Sequence, residues 1–156
     1  MIKTITLLTL LILATFTDIQ TKKIPNIIFC VGMITGIAFD FVYPRSHVEI
    51  ILAYIGAFIV FLFGSLRLMG MGDIKIWIVL TVYEGLLKSA AIICIATVLF
   101  IIFHIIKNPR NFSTVLLGFS QAITNKKIQA SGKQGYAFIP FVTVCTIICK
   151  VVEIIW

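Results

Sequence analysis

Asp18 and Asp73 are the residues of this chain whose type and setting could do chemistry. The sequence contains six carboxylates. Four of them, Asp40, Glu49, Glu84 and Glu153, fall on what the charge pattern makes the outer side of a bundle of apolar segments. Asp18 and Asp73 stand among lysines and arginines on the opposite side, and Asp73 closes the turn Gly70-Met71-Gly72-Asp73. Acids in or at the edge of a bilayer are costly, so an isolated pair on one side marks a functional site. Two carboxylates close enough to interact cannot both ionise easily, and partial desolvation adds to the cost, so such a pair holds one proton. One oxygen then takes a proton from water while the other carboxyl polarises a scissile carbonyl. The product is a tetrahedral diol with no covalent enzyme intermediate. The chemistry open to the pair is that of an aspartic peptidase.

The flanking residues have structural readings of their own. Gly70 suits a left-handed C-cap of the preceding helix, and Asp73 suits an N-cap or first-turn acid stabilised by the helix dipole. Gly70 and Gly72 also let the backbone bend and let an extended peptide come close. Asp18 is expected to terminate the first apolar segment. Pro25 and Asn26 follow as a stop-and-restart signal, with Asn26 the cap of the second helix. Lys75 is expected to meet lipid headgroups, with pairing to an acid the alternative. His47 lies in a loop and His104 deep in an apolar segment, with no carboxylate nearby in sequence, so no metal or other cofactor is expected. Cys30, Cys94, Cys145 and Cys149 all lie within apolar segments without a C-x-x-C spacing, and are expected to act as small buried apolar side chains.

The elements that must position these acids follow from composition. With 60% hydrophobic and 12% charged residues, the chain departs from a soluble domain, in which about 25% are charged. The length fits a single domain over residues 1–156. Six apolar segments can be marked, at about Ile2–Thr17, Ile27–Tyr43, Val48–Leu68, Ile74–Tyr83, Leu87–Ile106 and Ala137–Trp156. They are continuously apolar rather than alternating, so the fold class is all-α, a polytopic membrane protein with about six transmembrane helices. The fourth segment is too short alone and must borrow residues from Gly72 to about Leu86. The first resembles a signal peptide, but lacks a small-x-small cleavage site, and the cluster Lys22-Lys23 follows it; it reads as a retained helix.

The net charge of +7 is not gathered into one run. Basic residues occur as short clusters between apolar segments, which serves membrane orientation rather than nucleic-acid binding. One side holds Lys22, Lys23, Arg67, Lys75, Lys107, Arg110, Lys126, Lys127 and Lys133; the other holds Lys3, Arg45, Lys88 and Lys150. Nine against four makes the side bearing Asp18 and Asp73 cytoplasmic, with both termini outside. The one long connection, Lys107–Tyr136, is then cytoplasmic, and its apolar stretch Phe112–Ile123 suits an interfacial anchor, with packing over the face that bears the two acids the alternative.

Asp18, followed by Ile24-Pro25-Asn26 and then by Gly70-Met71-Gly72-Asp73-Ile74-Lys75, resembles the type IV prepilin peptidase family of G-x-G-D membrane aspartyl proteases. The layout extends over nearly the whole chain. The resemblance implies Asp18 and Asp73 as the catalytic dyad, supported by Gly70, Gly72, Lys75, Pro25 and Asn26. It implies a membrane endopeptidase of the inner (cytoplasmic) membrane, with a pilin-like precursor as substrate and a short basic leader as the piece removed. Larger members carry an N-terminal region with C-x-x-C motifs and a cytoplasmic insertion linked to N-methylation. This chain has neither and is similar to the short forms of tight-adherence and Flp-type pilus systems, so methyl transfer is not implied. Gly135-Tyr136-Ala137-Phe138-Ile139-Pro140 only approximates the proline-rich start of the family's last span, and Tyr136 and Pro140 receive no catalytic role.

The alternative from another class is a small transporter or membrane assembly subunit whose two acids bind ions or a partner. Transporters more often show repeated halves with matching helix breaks, and none is visible here. The sequence leaves the oligomeric state open.

Overall fold

The computed structural model describes residues 2–43, 45–65, 70–107 and 137–155. Among these the chain forms helices and no strand: α1 Ile2–Thr21, α2 Asn26–Val42, α3 His47–Ser65, α4 Met71–Glu84, α5 Leu86–Lys107 and α6 Ile139–Ile155. Each apolar segment read from the sequence holds one of these helices, with shifted ends. Arg67, Arg110, Lys126, Lys127, Lys133, the stretch Phe112–Ile123 and Tyr136 lie outside the described residues.

Pairs of helices run in opposite directions. Lys3, at the start of α1, lies 3.5 Å from Asp40 near the end of α2. Its ammonium also sits 5.9 Å from the ring of Tyr83 near the end of α4. Lys88, at the start of α5, pairs with Glu153 near the end of α6. The start of α6 returns to the far end of α1, where Ile139 meets Asp18.

The axis of this bundle is α4. It packs against α1, α2, α3 and α5. Its residues Ile74, Ile76 and Ile78–Tyr83 are buried on every side, as befits a helix that is apolar all round. Gly32 and Gly36 of α2 let that helix press against it. A Cβ built on Gly36 would come within 2.8 Å of Val82, and one on Gly32 within 3.0 Å of Val79. Small residues four apart are a recurrent device for close packing of membrane helices.

The outward faces of the bundle are apolar. Ile34, Phe58 and Val98, in the middle of α2, α3 and α5, are 68%, 61% and 55% exposed, a surface that suits hydrocarbon and not water. Of the described helices, α1 and α5 are long and apolar enough to cross a membrane, while α2 and part of α3 are apolar but shorter. At 14 residues, α4 extends about 21 Å, less than the roughly 30 Å of a hydrocarbon core.

The cysteine expectation holds for Cys145, which is buried, and in part for Cys149. Cys30 and Cys94 are exposed instead, on outward helix faces where lipid is as apolar as any core. All four are free thiols.

Candidate active site

Asp18 does not terminate α1. The helix continues one turn further to Thr21 and closes at Lys22, whose N–H donates to the Asp18 carbonyl at 3.0 Å. Lys22 has φ +53°, the left-handed conformation that more often falls to glycine after a helix. Carrying the helix one turn past Asp18 draws the carboxyl inward, and the residue is only 9% exposed. The carboxylate Oδ2 accepts the backbone N–H of Ile139 at 3.2 Å. Ile139 opens α6, and the first amides of a helix have no partner within it. One turn away from Asp18, the hydroxyls of Thr15 and Thr143 lie 2.7 Å apart and tie α1 to α6.

Asp73 sits in the first turn of α4, one of the two places its sequence context suggested. Gly70 does not adopt the left-handed conformation expected of it. At φ −62° and ψ 137° it is the extended residue that precedes α4. Its lack of a side chain answers to space: a Cβ there would stand 2.9 Å from the Asp73 Oδ2. Gly72 gives similar but looser relief, with a Cβ falling 3.3 Å from Ile24. Among the described residues, Asp73 has neither a side-chain hydrogen bond nor an ion pair.

Two supporting residues depart from expectation together. Asn26 is the first residue of α2 and provides no cap; the cap position belongs to Pro25, at φ −59° and ψ 141°. The Asn26 Oδ1 instead accepts a hydrogen bond from Lys75 Nζ at 2.6 Å, and the same ammonium reaches the Ile24 carbonyl at 3.4 Å. Lys75 has no ion pair with an acid among the described residues, and its ammonium is held by these two oxygens. It ties the first turns of α4, which carry Asp73, to the start of α2.

Asp18 and Asp73 line one cavity of about 480 Å³. Gly70, Gly72 and Lys75 line the same cavity, with Lys22 and Lys23 beside them. Phe138 closes it from the start of α6. Two carboxyls on one cavity, rimmed by lysines and by side-chain-free backbone, leave room for water and for an extended chain beside them. Phe138 and the Ile139 amide are the components that sequence reasoning passed over. Their only trace was the imperfect match around Pro140, since a backbone amide carries no residue signature.

Residues 5–105, which include both aspartates, match the type IV leader peptidase family. The chain belongs to that family. Neither a curated protein nor a solved structure matches it. Membership makes this leader peptidase relative a membrane-associated peptidase, and the matched stretch ends within α5, before the helix whose amide holds Asp18.

Proposed function

We propose that this chain is an aspartic endopeptidase that cuts the short basic leader from pilin-like precursors at the cytoplasmic face of the inner membrane. Asp18 and Asp73 are the catalytic pair. The observation that carries the reading is their convergence on one cavity from helices 55 positions apart, inside the stretch that matches the family. All six helices cross the bilayer in this reading, with both termini outside. Gly70, Gly72 and Lys75 support the site, as do Pro25 and Asn26, and no metal or cofactor takes part.

In the reaction, water loses a proton to one carboxylate as its oxygen bonds to the scissile carbonyl carbon. The carbonyl oxygen takes the proton of the other carboxyl, which gives the diol. The diol collapses as the first carboxyl returns its proton to the peptide nitrogen and the carbon–nitrogen bond breaks. A diol hydroxyl proton then restores the second carboxyl, and the products are an acid and an amine.

The test is processing of a co-expressed pilin-like precursor, read as a gel shift with enzyme level checked by blot. Asp18→Asn and Asp73→Asn should each abolish processing in protein that inserts normally. Near-normal cleavage by Asp18→Asn would overturn the dyad. Orientation has its own test, in cysteine variants at positions 22 and 45 labelled in intact cells with an impermeant reagent. Label should enter at 45 and not at 22, and the reverse pattern would invert the topology.

A further inference from the structure

The two aspartates are held differently. Asp18 is buried, takes the Ile139 amide on one oxygen, and rides on a stretch of α1 fastened to α6 through Thr15 and Thr143. The Thr143 hydroxyl reinforces that seam through the Leu11 and Ile139 carbonyls, at 3.4 and 3.0 Å. Asp73 has no side-chain hydrogen bond among the described residues, and the missing Cβ of Gly70 leaves open the space beside its Oδ2. One carboxyl is held by an amide, and the other has no such hold among the described residues.

We infer that the Ile139 backbone amide is a positioning group that makes the dyad unequal, with Asp18 the fixed acceptor of the water proton and Asp73 the turning donor to the scissile carbonyl. This rests on the peptidase reading above. With Oδ2 committed to Ile139, Asp18 presents one oxygen in a set direction, which is what aligning a nucleophilic water requires. A donated N–H also favours the carboxylate form, which can take the water proton. Asp73 must meet a carbonyl whose position varies with the incoming chain, and a side chain without a fixed partner can follow it. The start of α6 thereby becomes part of the active site, though it lies outside the stretch that matches the family.

The inference is open to a substitution that removes an amide without breaking a helix. Proline is tolerated in the first turn, where it lacks only an N–H that the helix does not use. In full-length enzyme in membranes, Ile139→Pro and Ile139→Ala both truncate the buried side chain, but only the first removes the donor. Ile139→Pro should lower kcat at least about tenfold further than Ile139→Ala does, with KM within about twofold between them. Equal kcat for the two variants would overturn the inference.

A second pair keeps the matter decidable if Ile139→Pro does not insert. Asp18→Glu pushes the fixed carboxyl out of register, whereas Asp73→Glu lengthens one that has no partner to lose among the described residues. Asp73→Glu should retain at least about tenfold more activity than Asp18→Glu, and an equal or reversed order would sink the asymmetry. Failure here is distinct from failure of the peptidase reading. The latter requires Asp18→Asn or Asp73→Asn to cleave, whereas this inference can fail with both of those variants inactive.

Discussion

The two ends of the bundle treat charge in opposite ways. At the end bearing the start of α1, Lys3, Arg45, Lys88 and Lys150 each pair with an acid. Asp40 accepts from Arg45 at 2.6 and 3.1 Å, from Tyr54 at 3.4 Å, and faces Lys3. Arg45 also donates to the Val82 and Tyr83 carbonyls at 2.6 and 3.4 Å, serving the unpaired end of α4. Lys150 bridges Glu84 and Glu153 at 2.6 and 2.8 Å, and Lys88 completes the chain on Glu153. This network touches all six described helices. At the other end, Asp18 and Asp73 have no ion pair among the described residues, although Lys22, Lys23 and Lys75 line the same cavity. In the proposed reaction the carboxyls that exchange protons are the two without an ion pair among the described residues. A salt bridge to either aspartate would hold it ionised and remove it from proton exchange.

The comparison is broken most directly by neutralising one acid at each end. Asp18→Asn or Asp73→Asn should cost more than about a thousandfold in processing rate. The double variant should be no slower than either alone, because a proton-sharing pair acts as a unit. Asp40→Asn should process precursor at a normal rate per molecule yet accumulate poorly, since it strands Arg45 and Lys3 without their acid. Breaking a buried pair costs about 3–5 kcal/mol. Thermal melting in detergent, set beside processing rate, separates the two outcomes. Slow cleavage by well-folded Asp40→Asn would erase the distinction between the ends.

Smaller changes sharpen it. Gly70→Ala should accumulate normally and lose activity by roughly 10–100-fold, because its methyl group displaces only the far end of the Asp73 side chain. Poor accumulation would mean that Gly70 is needed by the backbone instead. Lys75→Ala frees the start of α4 from Asn26 and should reduce the rate several-fold, with Asn26→Ala giving a similar loss. A headgroup role for Lys75 predicts no such agreement between the two variants. Smallest of all, Lys22→Gly relieves a left-handed lysine, worth on the order of 1 kcal/mol. It should raise the melting temperature slightly, and Lys22→Ala should not.

Several boundaries were misread for reasons that lie in particular residues. Asp18 looked like the end of a helix because the polar residues after it resemble a loop. Ile19, Gln20 and Thr21 nonetheless continue the turn, and the stop is a left-handed lysine that composition does not announce. Gly70 looked like a conformational glycine, and proved to be one that makes room for a carboxylate. Asn26 and Lys75 are 49 positions apart and each had a sensible local role, so nothing in either neighbourhood announced their bond.

What the sequence by itself determined is the helical class, the family and the two acids that stand apart. Continuous apolar runs can satisfy their backbone in lipid only as helices, the lysines and arginines sort to one side, and the isolated acids Asp18 and Asp73 stand out against both patterns. The family signature around them is equally local. Tertiary structure decided what each acid touches. Burial of Asp18, its bond to the first amide of α6 and the ion pairs of Lys3, Lys88 and Lys150 at the opposite end all join residues far apart in the chain, and the clearance beside Asp73 is set in the same way. Such relations depend on how helices pack, and a backbone amide that holds a carboxylate is donated equally well by almost any residue at that position.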